Sequence, residues 1–114
     1  MSVVKKPWGE EAWMEVNDKY VVKKLFMKGG SKCSLQYHEK KLESFFVLYG
    51  KLNFTVGDDI NNLTTTEVGP GFFTTIQPGT IHRMSAIIDS EYLECSTIEL
   101  DDVVRLKDDF GRVK

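Results

Sequence analysis

The residues best suited to chemistry are the two histidines of the chain, His38 and His82, with a glutamine and a glutamate near the first of them. Gln36 lies two positions before His38, so on a strand both side chains share one face. Glu43 opens the next predicted strand, and His82 follows a Pro-Gly turn. Two imidazoles, a carboxylate and an amide oxygen can bind a divalent metal such as zinc, iron, manganese, nickel or cobalt. A histidine beside a turn is also commonly solvated or satisfied within a core, so residue types alone leave both interpretations open.

These four residues must be positioned by short strands. Turn residues recur at intervals of roughly 8 to 12 positions, and β-branched and aromatic residues fill the segments between them, which is typical of an all-β sandwich or barrel. Leu52, Phe54 and Val56 alternate with polar residues, as in a half-buried strand. Closure into a barrel or a two-sheet jelly roll would protect the edge strands. The predicted strands are 20–27, 31–38, 43–49, 52–56, 72–77, 82–88 and 92–98.

The C-terminal segment is the one place where a helix competes with irregular structure. Residues 101–110 have mixed periodicity with acids at the start, and Gly111 could end a helix. The sequence therefore predicts a short helical or irregular tail.

Composition excludes several classes of protein. The 114 residues carry 15 Lys and Arg against 17 Asp and Glu, a net charge of −2 that argues against a nucleic-acid partner. The length indicates a single domain over residues 1–114. No apolar run is long enough to span a membrane, and the N-terminal residues have no apolar core of a signal peptide. Cys33 and Cys95 are too few for a disulfide framework, so we expect reduced thiols and a cytoplasmic location.

The spacing of the candidate ligands resembles the two motifs of the cupins, small β-barrels or jelly rolls that hold a metal at one end. In the first motif, glutamine stands where cupins usually have the first histidine; in the second, Gln77 stands at the usual proline position. The first motif comprises Gly30, Gln36, His38, Glu43 and Gly50, and the second comprises Gly71, Gln77, Gly79 and His82. The resemblance implies a cupin-type double-stranded β-helix.

A closer resemblance is to the type II mannose-6-phosphate isomerase cupins, which occur alone or behind a mannose-1-phosphate guanylyltransferase. It covers residues 6–112 and includes a glutamine at the first ligand position. The matching segments are Lys6-Pro7-Trp8-Gly9, Ser34-Leu35-Gln36, Gly79 to Arg83, and the ending from Asp101 to Arg112. The resemblance implies Gln36, His38, Glu43 and His82 as ligands of a divalent metal, zinc first, with manganese, cobalt, nickel or iron as alternatives. It implies a sugar or sugar phosphate as the small-molecule partner, and interconversion of mannose 6-phosphate and fructose 6-phosphate.

The same resemblance suggests residues for proton transfer and phosphate binding. Arg105 matches an arginine of the family and is expected in catalysis and substrate binding. Lys41 stands where the family commonly has arginine and is a candidate in catalysis. Arg83 also matches, as a substrate-binding candidate. The family often has glutamate where this chain has Leu100, so Glu99 is a candidate replacement in catalysis. Each of these cations is otherwise an ordinary surface residue.

Other departures keep further functions open. The asparagine that commonly follows the second-motif histidine is Ala86 here, and Phe45-Phe46 replaces a common tryptophan. A cupin epimerase or isomerase acting on another sugar, and a non-catalytic metal- or carbohydrate-binding cupin, therefore remain alternatives. Consecutive apolar residues such as Phe45 and Phe46 would both be buried only if each face of their sheet is covered, so we expect a homodimer. Trp8 is expected to be an apolar plug rather than a stacking platform.

Overall fold

The computed structural model describes residues 2–108, and within this range the chain forms strands and turns without a helix. The strands are β1 (Ser2–Lys6), β2 (Gly9–Val16), β3 (Val21–Met27), β4 (Leu35–Tyr37), β5 (Glu43–Tyr49), β6 (Leu52–Gly57), β7 (Thr64–Val68), β8 (Phe73–Ile76), β9 (Ile81–Ala86), β10 (Ser90–Ser96) and β11 (Val104–Lys107). The all-β prediction is confirmed. No helix in the described range is long and apolar enough to cross a membrane.

The strands form two antiparallel sheets. One has six strands in the order β1-β2-β3-β10-β5-β8, and the other has five in the order β11-β4-β9-β6-β7. Strands distant in sequence are neighbours in space, for example β3 beside β10 and β4 beside β9. This exchange of partners brings the candidate ligands together, since His38, Glu43 and His82 lie in or beside three different strands.

The core lies between the two sheets and follows from alternation along the strands. In β3, Val21, Leu25 and Met27 are buried, and the residues between them are partly exposed except Lys23, which also points inward. Phe45 of β5 meets Tyr92 of β10 edge to face, with ring centroids 5.5 Å apart. Because side chains of a strand alternate between faces, one apolar residue in two is enough to build this interior.

Tight turns set the register of the hairpins, and the β5–β6 turn requires glycine. Gly50 has φ +101°, and a Cβ atom there would collide with the side chain and backbone of Ser90. Ser90 in turn accepts a hydrogen bond from the Lys51 backbone N–H at 3.0 Å. Only glycine combines this left-handed conformation with so close an approach.

The predicted strands agree well with the structure in the centre of the chain and less well outside it. The strand predicted at 43–49 has the observed bounds of β5, and 20–27 differs by one residue from β3. The strand predicted at 31–38 shortens to β4. Strands β1, β2 and β7 were not predicted from the sequence. Four of the five residues of β7 are exposed, so this strand lacks the apolar alternation by which strands are recognised.

The prediction of a helical or irregular tail was wrong for residues 104–107. Residues 104–107 form β11, which pairs antiparallel with β4 and sets Arg105 opposite Gln36. The pairing supplies hydrogen-bond partners to the edge of β4, and such tertiary pairing outweighs weak local helix preference. The end of the proposed helix, with Phe110 and Gly111, lies outside the described residues.

Candidate metal centre

Three predicted ligands converge in the interior. His38 Nε2 lies 2.9 Å from Glu43 Oε2, and His82 Nε2 lies 3.0 Å from the same oxygen. The ligand atoms of the three residues all lie within 4.8 Å of one another. All three side chains are at most 3% exposed, so water competes little for them.

Backbone carbonyls orient both imidazole rings. His38 Nδ1 contacts the carbonyl oxygen of Asp102, and His82 Nδ1 lies 2.9 Å from the carbonyl oxygen of Thr80. A carbonyl oxygen only accepts hydrogen bonds, so Nδ1 carries the proton in each ring. In the neutral imidazole, Nε2 then has a free lone pair directed at Glu43. This is the usual arrangement behind metal-binding histidines.

The donor set therefore fits a divalent cation. Glu43 Oε1 and His82 Nε2 are buried and have no hydrogen-bond partner in the described residues, although His82 Nε2 is close to Glu43 Oε2. With neutral rings this contact brings two acceptors together, which is unfavourable without a proton or cation between them. A divalent metal ion satisfies all three ligand atoms at once.

The surroundings of Glu43 stabilise the negative charge of its carboxylate. Burial would raise the pKa of Glu43, but the close contacts of its carboxylate with the His38 and His82 rings and the charge of Lys41 outweigh it and hold that pKa well below its usual value. Burial would lower the pKa of His38, but the hydrogen bond and charge of Glu43 outweigh it and hold that pKa above its usual value. Glu43 is therefore ionised at neutral pH, and without metal the site retains a proton on His38 more strongly than a free imidazole would.

Gln36 lies beside the triad on β4, where its Cα is paired with that of His82. It lines the same cavity, and its side-chain oxygen accepts a hydrogen bond from the Ser34 hydroxyl. The structure thus brings the fourth predicted ligand to the rim of the centre. Its contact with a metal stays a prediction.

Asp102 supports the centre from the tail. Its carboxylate accepts backbone hydrogen bonds from Glu39, Lys40 and Lys41 at 2.7–3.0 Å, and these bonds hold its pKa below the usual value. Its carboxylate orders the loop between the ligands His38 and Glu43, while its carbonyl orients the His38 ring.

A cavity opens beside the triad, and both sheets and the tail contribute to it. Its wall carries four cations and two acids besides the metal-site residues. It is lined by Lys6, Trp8, Glu11, Lys23, Leu25, Cys33, Gln36, His38, Lys41, Phe45, His82, Met84, Tyr92, Glu94, Leu100, Val103 and Arg105. Such a mixed polar and aromatic wall suits a hydroxylated or phosphorylated small molecule.

Two of the predicted functional cations line this cavity. Lys41 Nζ lies 3.3 Å from Glu43 Oε1 and 3.5 Å from Glu94 Oε2, so it bridges the metal triad and a second acid. Arg105 reaches the cavity from β11, and its Nε is buried without a hydrogen-bond partner in the described range. An unpartnered guanidinium nitrogen beside a cavity can bind an anion.

Arg83 and Glu99 lie elsewhere. Arg83 follows His82 on β9, and its guanidinium donates hydrogen bonds to the carbonyl oxygens of Cys33 and Lys107. Neighbours on a strand face opposite sides, so Arg83 points away from the cavity that His82 lines. Glu99 accepts a hydrogen bond from the Thr97 hydroxyl and does not line the cavity.

On a regular strand, Cys33, three residues before Gln36, would lie on the face opposite that residue. Cys33 lines the cavity because residues 33–34 are not in a regular strand, so alternation does not carry back from β4. Burial raises the pKa of its thiol to about 11, which makes it unreactive near neutrality. Trp8 is 4% exposed within the hydrophobic core, as expected of an apolar plug, though it also forms part of the cavity wall.

The cavity acids Glu11 and Glu94 and the cation Lys23 were missed. Glu94 lies between Tyr92 and Ser96 on β10, and all three are buried. A charged residue in the inward series of a strand is the signal that would have found it, because burial of an unpaired charge is too costly to occur without a reason.

Known proteins that are similar in sequence identify the family of this chain. Residues 1–108 match the family described as Mannose-6-phosphate isomerase C-terminal. The chain is 31% identical over 114 residues to the xanthan biosynthesis protein XanB of Xanthomonas campestris, and 32% identical over 115 residues to a mannose-1-phosphate guanylyltransferase of Escherichia coli. Each alignment covers 96% of this chain but 23% of the relative, so the chain spans less than a quarter of these proteins.

Solved structures agree on the fold. The capsular polysaccharide assembling protein CapF of Staphylococcus aureus has a TM-score of 0.81 at 18% identity, over 93% of this chain and 34% of that one. KdgF of Halomonas sp. has a TM-score of 0.76 at 14% identity, over 89% of this chain and 91% of that one. The predicted cupin jelly roll is therefore confirmed, and the chain belongs to the mannose-6-phosphate isomerase C-terminal family of cupins.

Proposed function

We propose that this cupin is a metal-dependent sugar-phosphate isomerase that interconverts mannose 6-phosphate and fructose 6-phosphate. The observation that carries the proposal is the buried His38–Glu43–His82 cluster, whose ligand atoms converge beside a cavity with cations on its wall. Family membership supports the choice of reaction, since the family is described by that isomerase.

His38, Glu43 and His82, with Gln36 as the fourth ligand, would hold the metal. Zinc leads, because two imidazoles and a carboxylate suit it, and manganese, cobalt, nickel and iron fit the same set. A bound metal would polarise the sugar carbonyl and adjacent hydroxyl and stabilise negative charge that develops there.

Residues of the chain itself would do the rest. The guanidinium of Arg105, whose Nε is buried, can bind the phosphate or the charge of the intermediate. Lys41, held between Glu43 and Glu94, presents its ammonium group to the cavity and can hydrogen-bond a sugar oxygen. Arg83 and Glu99 have no part in the proposal, because neither lines the cavity.

The test is a coupled assay for fructose 6-phosphate formed from mannose 6-phosphate. Metal-stripped protein is reloaded in turn with zinc, manganese, cobalt and nickel, beside His82→Ala and Gln36→Ala. We expect metal-dependent turnover that disappears in His82→Ala. Metal uptake without turnover after every reload would refute the isomerase.

One observation favours a second candidate. Leu100 puts an apolar side chain into the cavity where relatives often have glutamate, as the resemblance indicates. A cupin that binds metal or carbohydrate without catalysis, or that isomerises or epimerises another sugar, would tolerate this change. Metal binding without turnover of mannose 6-phosphate would favour it, and a screen of other sugars would then separate binding from catalysis.

The predicted homodimer fits the outer face of the six-stranded sheet. Phe46 and Phe73 are paired across β5 and β8, and they are 40% and 61% exposed. A second copy covering this face would bury both. Sedimentation measures the oligomeric state directly. The single domain over residues 1–114 and the cytoplasmic location stay predictions.

A further inference from the structure

Three carboxylates lie in or beside the cavity, and two of them already have a role or several close partners. Glu43 is the carboxylate of the metal triad. Glu11 accepts a hydrogen bond from the Trp13 indole at 2.9 Å and has Lys23 Nζ at 3.5 Å and Lys6 Nζ at 3.9 Å. One donor and two cations therefore hold the Glu11 carboxylate in place.

Glu94 is placed differently. Within residues 2–108 its close polar partner is Lys41, with Nζ at 3.5 Å from Oε2. It is 8% exposed, the same as Glu11, and it lines the cavity. Lys41 lies between Glu94 and Glu43, so Glu94 is one side chain away from the metal triad without contacting it.

Its surroundings make Glu94 a stronger base than an ordinary glutamate. Burial raises the pKa of Glu94 and opposes the charges of Lys41 and Lys23, which favour its ionised form. A general base works best when its pKa approaches the operating pH. Of the two acids that line the cavity in the described range, Glu94 is the one that shares Lys41 with the triad.

We propose that Glu94 is the catalytic base that carries the proton between C2 and C1 of the hexose phosphate. The inference rests on the proposed isomerase function. Its carboxylate removes the proton from C2 of the open-chain aldose. The electron pair of that C–H bond forms the C1=C2 bond, and the carbonyl pair moves to O1.

The return step uses a proton from the same carboxyl group, which exchanges with solvent during turnover and so carries deuterium to C1 in D₂O. The hydroxyl proton of O2 passes to O1, and the protonated Glu94 gives its proton to C1. The C1=C2 pair forms the new C1–H bond, while the pair left on O2 forms the C2 carbonyl. The carboxylate is regenerated and no other reactant is consumed. Lys41 holds Glu94 in place and donates a hydrogen bond to the sugar oxygen.

The experiment compares full-length, metal-loaded wild type with Glu94→Gln and with Glu11→Gln, a matched control of equal exposure in the same cavity. Deuterium uptake at C1 of fructose 6-phosphate in D₂O, followed by NMR, reports proton transfer directly. The coupled assay separates kcat from KM, and metal stoichiometry and thermal melting report the fold and the centre independently of activity. We expect Glu94→Gln to lower kcat and deuterium uptake by about 10²–10⁴-fold at unchanged KM and metal content, whereas Glu11→Gln retains deuterium uptake.

The outcomes separate this inference from the proposed function. An active wild type whose Glu94→Gln variant keeps deuterium uptake within about tenfold overturns the role of Glu94 alone, as does an equal loss in Glu11→Gln. A wild type without uptake or turnover under any metal overturns both. If Glu94→Gln loses metal or fails to fold, deuterium uptake by the Glu94→Asp variant tests the role of Glu94 instead. Uptake reduced by at least about tenfold supports the base, because a shift of about 1 Å misaligns it, and uptake at the wild-type rate overturns it.

Discussion

Lowering the pH should weaken metal binding, starting above the usual titration range of histidine. The metal needs the neutral form of His38, and the pKa of His38 is raised because Glu43 favours the imidazolium. The pKa of Glu43 is lowered, so this carboxylate is already ionised and does not compete for protons between pH 5 and 8. Proton competition in this range therefore begins with His38.

The magnitude follows from proton counting. Below the pKa of His38, each metal ion that binds displaces one proton from this ring, so the dissociation constant rises about tenfold per pH unit, or about 1.4 kcal/mol. Because the pKa of His38 lies above 6.5, the weakening is measurable already near neutrality.

Zinc affinity measured by chelator competition at half-unit steps from pH 5 to 8 gives the slope, and calorimetry in two buffers counts the protons released. Glu43→Gln is the informative variant. It should bind metal more weakly at every pH and shift the onset to lower pH, because the carboxylate that raises the pKa of His38 is gone. An affinity that is flat from pH 5 to 8 would refute the assignment of the ligands.

Three further predictions concern the supports of the site and the binding of substrate. Asp102→Ala removes three backbone hydrogen bonds and should lower the free energy of unfolding by about 1–3 kcal/mol, measured by urea titration, with Asp101→Ala as the control within about 0.5 kcal/mol. Gly50→Ala adds a clash with Ser90 to backbone strain, so it should cost at least about 1 kcal/mol more than Gly71→Ala, which has φ +90° but open space around it. Equal costs would contradict the clash. Arg105→Lys should raise KM for the phosphorylated sugar by about 10–100-fold, because a single ammonium cannot replace the fork of a guanidinium, and an unchanged KM would place phosphate elsewhere.

The convergence of His38, Glu43 and His82 was predictable from the sequence because turns fix where these residues lie. His38 directly follows the end of β4, and His82 is the second residue of β9. Gly79, in the turn before β9, donates its N–H to the His38 carbonyl at 2.7 Å and so ties the two ligand segments together. Glycine spacing and ligand spacing are therefore parts of one constraint. A motif that preserves both identifies the fold and the centre together.

The rest of the cavity depends on pairings that local sequence does not encode. Asp102 reaches the loop at 39–41 from more than sixty positions away, and β11 forms only because β4 offers a free edge. Local propensity over 101–110 favoured neither outcome. The tail contributes a positioning carboxylate and Arg105 to the site through tertiary contacts alone.

Within a regular strand, alternation between the two faces predicts which residues face the cavity better than nearness in sequence to a candidate ligand does. Arg83 adjoins His82 in sequence but faces away, whereas Glu94, far from every motif, faces inward in register with Tyr92 and Ser96. Leu100 adds a constraint, because an apolar side chain in the cavity cannot carry a proton. If this chain isomerises sugar phosphates, its proton must be carried by an inward-facing group of the sheets, and the inward series of β10 presents the carboxylate of Glu94 beside Lys41.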